Sequence, residues 1–193
     1  RYITVFVLCT IGVISVSGFS NYSGIEYMRH YPYQEHRDKS YYRWLSCGFV
    51  HGSYIHLILN AFVLWQFGFV IEKMYIAKFG SVPGMSIYLS AYLLILILSC
   101  VPTYIKHKNN SSYASIGASG AISGILFIYI YHFPNAILSL YGIIPLPAFA
   151  MGILYLVYSW WAAKQSRDGI DHDAHYYGAV MGLVIAVLID RLP

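Results

Sequence analysis

The sequence NNSSYASIGASGAISGILFIYIYHFPNAILSLYGIIPLPAFAMGILYLVYSWWAA, residues 109–163, contains no Asp, Glu, Lys or Arg. A soluble domain takes about 25% of its residues from these four types, so a run of this length is typical of chain that lies in lipid. A spanning helix needs roughly 20 apolar residues, and this run is too long for one crossing. The sequence HFPN at residues 132–135 interrupts it, and its proline favours a turn. The run therefore predicts two spans.

Four further runs lack charged residues, and each approaches or exceeds the length of one membrane crossing. These runs are residues 2–25, 44–71, 79–105 and 174–189. Charged residues make up 10% of the 193 residues, too few to cover the surface of a soluble fold. We therefore predict an all-α membrane protein with six transmembrane helices, numbered as spans one to six, in a single domain over residues 1–193. Pro145 and Pro147 are predicted to open span five.

The remaining composition bears on the partners and on the first loop. The net charge of +4 is small and scattered, so nucleic acid is not predicted as a partner, whereas the lipid bilayer is. Tyrosine and tryptophan are dense in residues 27–44, and such rings suit a loop lying on or partly within the membrane surface. Cys9, Cys47 and Cys100 show no metal spacing and are interpreted as small buried apolar residues.

Three polar clusters lie at the starts of spans two, four and six. They are His51, His56 and Asn60; Gly117-Ala118-Ser119-Gly120; and Ala174-His175, followed by Gly178 and Gly182. A polar group inside a lipid span must be satisfied within the protein, so each cluster suggests a functional site. Because consecutive spans alternate in direction, the starts of spans two, four and six reach the same side of the membrane. The three clusters are therefore predicted to converge near one leaflet.

Helix geometry brings two of these side chains closer still. The glycines of spans four and six form small-xxx-small pairs, Gly120 with Gly124 and Gly178 with Gly182. Such pairs allow two backbones to approach closely in lipid. Ser119 precedes one pair and His175 the other, so close packing is predicted to bring them within hydrogen-bond reach. His56 and Asn60 share a helix face, whereas His51 belongs to the entry loop.

Each signal also has an ordinary explanation. Gly-x-Ser-Gly alone is a common packing device, a lone histidine at a span end is more often interfacial, and Asn60 could simply bridge two helices. A metal site is weakly supported, because no glutamate lies between His51 and His56 to act as a base. His172 and Asp173 belong to a charged loop. The conjunction of the three clusters at one membrane depth favours a catalytic site.

The ordered set of motifs resembles the rhomboid intramembrane proteases over almost the whole chain. The motifs are His51-x4-His56-x3-Asn60, then Gly117-x-Ser119-Gly120, then Ala174-His175-x2-Gly178-x3-Gly182. The resemblance implies a dyad of Ser119 as nucleophile and His175 as general base, with no cofactor and no metal. It also implies that His56, Asn60 and the Ser119 backbone N–H stabilise the oxyanion. Gly117 would support this site, and His51 would orient the first loop.

Two positions match the family further, and two depart from it. Arg43 lies where the family has the arginine of its tryptophan–arginine loop signature, and Glu72 resembles its acidic residue closing span two. Tyr42 replaces the loop tryptophan and keeps an interfacial ring. Ser123 stands where many members have an aromatic side chain that stacks on the histidine. His175 is therefore expected to be oriented by different packing or by a hydrogen bond.

The resemblance implies a serine endopeptidase that cleaves transmembrane protein substrates in or near their membrane segments. The alternative is a catalytically inactive relative that binds membrane clients, a branch that loss of the serine or histidine would mark. A small transporter would favour charged residues within its spans and internal repeats, and this sequence shows neither.

The basic residues bear on orientation in the membrane. Eight are predicted on the side of the site: Arg29, Arg37, Lys39, Arg43, Lys106, Lys108, Lys164 and Arg167; four are predicted opposite: Arg1, Lys73, Lys78 and Arg191. The positive-inside rule would place the larger group in the cytoplasm. The resemblance, which is strongest to bacterial members over residues 145–175, instead favours a bacterial inner membrane with the site opening to the extracytoplasmic side. We adopt this second orientation as the expectation.

Overall fold

The computed structural model of the chain describes residues 2–20, 22–140, 143–165 and 168–193. Arg1 and Arg167, which were counted for orientation, lie outside these residues. The helices are α1 Tyr2–Ser20, α2 Tyr22–Met28, α3 Pro32–Asp38, α4 Arg43–Ser46, α5 Tyr54–Val63, α6 Phe69–Phe79, α7 Ser81–His107, α8 Ser119–His132, α9 Ala148–Gln165 and α10 His172–Asp190. A 3-10 turn, Cys47–Phe49, follows α4, and a π-helical turn, Leu64–Gly68, joins α5 to α6.

Four helices in the described ranges are long and apolar enough to cross a membrane. They are α1, the continuous helix Tyr54–Phe79, α7 and α10. Their outer faces expose large apolar side chains, such as Ile55, Ile58 and Phe62 on α5. The prediction of a membrane fold is confirmed, whereas the count of six spans is supported for four of them.

The helix of predicted span four, α8, is too short to cross a membrane alone. Its 14 residues extend about 21 Å, against a hydrocarbon core of about 30 Å. Nine of the 14 residues are buried, so protein rather than lipid surrounds most of this helix. Span five is represented by α9, whose 18 residues are not apolar enough to qualify as a span.

The glycines bring α8 and α10 into backbone contact, as predicted. A Cβ atom added at Gly178 would overlap the carbonyl oxygen of Gly120, and one added at Gly182 would overlap that of Gly124. A larger residue at Gly178 or Gly182 would force the two helices apart. This contact fixes the start of α10 beside the start of α8.

The predicted opening of span five is wrong in detail, and the chain is not purely helical. Strands β1, Ile137–Leu140, and β2, Ile144–Pro147, form an antiparallel hairpin in which Ile137 lies opposite Pro147. Both prolines lie in β2, and α9 begins only at Ala148. Proline is tolerated in a strand of this kind because both strands of a two-stranded sheet are edge strands.

The first loop is folded into short helices held by buried polar groups. The guanidinium of Arg43 donates to the carbonyl oxygens of Glu26, 2.8 Å away, and Arg29, 3.1 Å away. The buried carboxylate of Glu35 accepts hydrogen bonds from the Tyr31 backbone N–H and the Trp44 indole. These bonds give the loop a defined structure next to the residues that precede α8.

Two interpretations from the sequence need correction. Glu72 does not close its helix, which continues to Phe79; it is buried and accepts hydrogen bonds from the Thr4 hydroxyl and N–H, so it joins α6 to α1. Cys9 is exposed, because its face of α1 points away from the helix bundle. Cys47 and Cys100 are buried as expected, with their sulfur atoms 3.8 Å apart.

Candidate active site

The start of α5 presents two polar side chains, those of His56 and Asn60, on one face. The hydroxyl of Ser53 caps the helix by accepting a hydrogen bond from the His56 backbone N–H at 3.2 Å. Asn60 follows one turn later and is 7% exposed. Its side-chain nitrogen is buried and has no hydrogen-bond partner among the described residues. A buried amide N–H without an acceptor is available to a ligand or a reacting group.

The turn before α8 requires glycine. Gly117 has a φ of 120°, in the left-handed region, and its N–H donates to the Cys47 carbonyl oxygen at 2.9 Å. A Cβ atom at this position would also lie 2.7 Å from Cε1 and 2.8 Å from Nε2 of His56. The imidazole of His56 therefore lies against the turn that leads into Ser119, the first residue of α8.

The start of α10 is held by Asp171, which the sequence analysis missed. The Oδ1 atom of Asp171 accepts hydrogen bonds from the Ala174 backbone N–H at 2.9 Å and from the Thr103 hydroxyl at 2.8 Å. Its Oδ2 atom accepts one from the Ser115 hydroxyl at 2.9 Å. This carboxylate thus joins α10 to α7 and to the segment before α8. An aspartate three residues before Ala174 was a recognisable cap signal.

Replacing Asp171 by alanine is expected to lower the free energy of unfolding by about 2 kcal/mol, since a helix cap is lost and two hydroxyl donors lose their acceptor. Denaturant unfolding of the purified protein in detergent measures this effect. Asp173→Ala is the matched control, because Asp173 makes a partly exposed ion pair with Lys106, and such pairs contribute about 1 kcal/mol or less. Equal losses in the two variants would contradict this role for Asp171.

One cavity of about 570 Å³ brings the three helix starts together. It is lined by His56 and Asn60 from α5, Ser119 from α8 and His175 from α10. Asp168 and Asp171 also line it. Gly117 borders a smaller adjoining cavity that also contacts Ser119. The predicted convergence of the three clusters is therefore present in the fold, although the residues come from segments more than 50 positions apart.

His51 is buried behind His56 and does not line the cavity. Its Nδ1 atom is hydrogen-bonded to the Ser15 hydroxyl at 2.9 Å, and its ring packs edge-on against that of His56 with centroids 4.9 Å apart. Burial, with a smaller contribution from His56, lowers the pKa of His51 to about 3. His51 is therefore neutral at physiological pH. Its contacts connect α1 to His56, and its orienting role stays a prediction.

The side chains around His175 include an aromatic residue from α9. The ring of Tyr155 lies 6.4 Å from that of His175, and the ring of His172 lies 5.7 Å away, edge-on. Ser123, which stands where many members of the family it resembles have an aromatic residue, is hydrogen-bonded to the Tyr155 hydroxyl. This contact could not be recognised from the sequence, because Tyr155 resembles the other rings of an aromatic-rich span.

The arrangement offers a defined set of chemical groups. A serine hydroxyl and an imidazole face the same cavity, which suits a nucleophile and its base. The Asn60 amide, the His56 ring and the free N–H groups at the start of α8 can donate to a developing negative charge. Within the described ranges, no group of three or more His, Cys, Asp and Glu side chains is arranged to hold a metal ion.

Comparisons with known proteins identify the family of this chain. The Rhomboid domain family model matches residues 38–191. Rhomboid protein 1, mitochondrial, of Saccharomyces cerevisiae is 28% identical over 150 residues, which cover 76% of this chain and 41% of that protein. Rhomboid protease GlpG of Haemophilus influenzae is 29% identical over 102 residues, covering 53% of this chain and 47% of GlpG.

A third relative extends the range of organisms. Presenilin-associated rhomboid-like protein A, mitochondrial, of Danio rerio is 30% identical over 148 residues, covering 70% of this chain and 34% of that protein. This chain thus matches less than half the length of each of these relatives. The family match spans most of the chain and includes all three helix starts that line the cavity. The chain is an integral membrane protein that belongs to the rhomboid family.

Proposed function

We propose that this chain is an intramembrane serine endopeptidase that cleaves peptide bonds in or near the transmembrane segments of other membrane proteins. The observation that carries the proposal is the shared cavity of Ser119, His175, His56 and Asn60. The name of the bacterial relative, Rhomboid protease GlpG, supports the same activity. Substrates that lie in the bilayer would reach the cavity through the membrane-embedded face of the protein.

In the proposed reaction, the Ser119 hydroxyl oxygen attacks the carbonyl carbon of the scissile peptide bond while His175 accepts the hydroxyl proton. The tetrahedral intermediate collapses as the C–N bond breaks, and His175 returns the proton to the leaving amine. Water then attacks the acyl–serine ester, again with His175 as base, and releases the new carboxyl group and the free serine. This scheme uses no third carboxylate.

The negative charge that develops on the carbonyl oxygen needs donors placed in advance. The Ser119 backbone N–H, the Asn60 amide and the His56 ring would supply them. The Asn60 nitrogen is suited to this role because it is buried without a partner, so no existing hydrogen bond must break when the oxyanion forms. His51 would hold the His56 ring through their edge-on contact.

Fluorophosphonate labelling of the purified protein tests this proposal directly. Such probes phosphonylate an activated serine, so labelling of the wild type is expected and labelling of Ser119→Ala is not. His175→Ala should also remain unlabelled, because its serine lacks a base. A wild-type protein that folds but takes up no label would instead favour a family member that binds membrane clients without cleaving them.

Chelation separates the dyad from a metal mechanism. EDTA is expected to leave the cleavage of a single-span reporter unchanged, since the proposed reaction uses only protein groups. The measurement is the initial rate in detergent micelles with and without EDTA. A sample with EDTA saturated by Mg²⁺ is the control for effects of EDTA on the detergent and on ionic strength. Loss of activity that zinc restores would contradict the proposed dyad.

We infer that residues 1–193 form one domain, because Glu72 ties α1 to α6 although the family match begins only at residue 38. The type of membrane and the side on which the cavity opens stay predictions. The relatives include both bacterial and mitochondrial proteins. The expectation adopted from the sequence remains a bacterial inner membrane with an extracytoplasmic opening.

A further inference from the structure

Tyr155 connects the nucleophile and the base of the proposed dyad from a helix that carries neither. Ser123 donates its hydroxyl proton to the Ser119 backbone carbonyl oxygen at 2.7 Å. A hydroxyl has one proton to donate, so the Tyr155 hydroxyl donates to Ser123 in the hydrogen bond between them. The Tyr155 ring then lies beside His175, with ring planes inclined by 31°.

The position of the Tyr155 ring is determined from two sides. The hydroxyl end is anchored by Ser123, and the ring packs against Phe127 with centroids 5.6 Å apart. Both partners lie on α8, the helix that begins with Ser119. Any displacement of this ring must therefore disturb a contact with α8.

Two rings lie near the imidazole of His175. His172 contacts it edge-on and is itself hydrogen-bonded to Asp168 at 3.1 Å, while Tyr155 lies at 6.4 Å with its plane only moderately inclined. Ring centroids 4.5–7 Å apart are within the range of favourable aromatic contacts. His172, which was assigned to a charged loop from the sequence, is the first residue of α10, the helix that carries His175. Tyr155 is therefore the neighbour that relates the imidazole to α8.

We propose that Tyr155 is a positioning residue, whose ring holds the imidazole of His175 toward Ser119. This inference rests on the proposed function. A general base acts only from within hydrogen-bond reach of the proton it accepts, and a misplacement of about 1 Å can cost about 10²-fold in rate. Position 123 is a serine, where many family members have an aromatic residue, and in this chain the aromatic ring beside His175 comes from α9.

The test compares a variant that keeps the ring with one that removes it. Tyr155→Phe retains the ring and its Phe127 contact, so turnover should fall by less than about threefold. Tyr155→Leu removes the ring, and kcat for a single-span reporter should fall by about 10²-fold while KM changes by less than about threefold. The rate of fluorophosphonate labelling should fall in parallel. Phe149→Leu, an exposed aromatic on the same helix, is the control and should behave as wild type.

Melting temperatures measured alongside identify a purely structural effect. If Tyr155→Leu does not fold, Tyr155→Met takes its place, since methionine fills irregular space without a ring. Equal turnover by the ring-free and phenylalanine variants, whether fast or slow, would overturn this role for Tyr155. Failure of the proposed function itself would appear differently, as cleavage by Ser119→Ala or as a wild type without activity.

Discussion

Replacement of Ser119 by alanine is expected to abolish cleavage of a single-span reporter, a fall in turnover of about 10⁶-fold by comparison with loss of the nucleophile in a soluble serine protease. The change removes one hydroxyl oxygen and adds no atom, so no clash arises at the crowded start of α8. The fold should persist, because the glycine contacts between α8 and α10 do not involve the Ser119 side chain.

The measurement is single-turnover cleavage by purified protein in micelles, together with the melting temperature of each variant. Ser86→Ala is a matched control, since Ser86 lies on α7 and bonds the Val82 carbonyl within its own helix. The control should cleave at the wild-type rate. Wild-type cleavage by a folded Ser119→Ala protein would remove Ser119 as the nucleophile.

The sequence was sufficient to predict that the three polar clusters meet. Alternation of span direction places the starts of α5, α8 and α10 on one side, and the glycine pairs specify which helices touch. Both arguments depend only on spacing along the chain. The cavity lined by His56, Ser119 and His175 is the result.

Other features depend on contacts between distant segments and could not be predicted in this way. Asp171 had a local signal as a helix cap, but its bonds to Thr103 and Ser115 join residues more than 50 positions apart. Tyr155 reaches His175 only because α9 packs against both α8 and α10. In the hairpin before α9, β1 pairs with β2. The apolar pattern of residues 137–147 does not distinguish these paired strands from a helix.

The length of α8 shows a limit of reading spans from composition. A charge-free run predicts that the segment avoids water, but it does not show whether lipid or the protein interior surrounds it. The short α8 lies within the bundle, and its small residues serve contact with α10 rather than with lipid. Composition therefore predicted correctly that this segment avoids water, but it did not predict that protein surrounds most of α8 or that the helix is this short.

Loss of an oxyanion donor is expected to cause the second-largest fall in turnover. Of the two candidate donor side chains, Asn60 and His56, Asn60 gives the clearer test. Asn60→Ala is expected to lower turnover by about 10²–10³-fold, equivalent to about 2.7–4 kcal/mol. Because the Asn60 nitrogen has no partner in the described structure, its removal breaks no hydrogen bond to the protein. The melting temperature should therefore stay close to that of the wild type.

His56→Ala is expected to lower turnover by a similar factor, but with some loss of stability, since its ring packs against His51. For both variants, substrate affinity should change little, because these donors bind most strongly to the charge that forms in the transition state. Leu59→Ala is the matched control: it lies between the two residues and lines the same cavity, yet offers no hydrogen-bond donor. Its single-turnover rate at saturating substrate should remain near that of the wild type.

The comparison of rate with melting temperature decides between the two roles open to Asn60. If Asn60 only bridges helices, the Asn60→Ala variant should lose activity in proportion to the fraction of unfolded protein. Its folded fraction should then cleave at the wild-type rate. An oxyanion donor would leave a stable, correctly folded enzyme that binds substrate and turns it over slowly. The orphaned amide favours the second outcome, because a helix bridge would already have its acceptor in the folded protein. A destabilised Asn60→Ala variant with normal specific activity would remove Asn60 from the oxyanion site while leaving Ser119 and His175 in place.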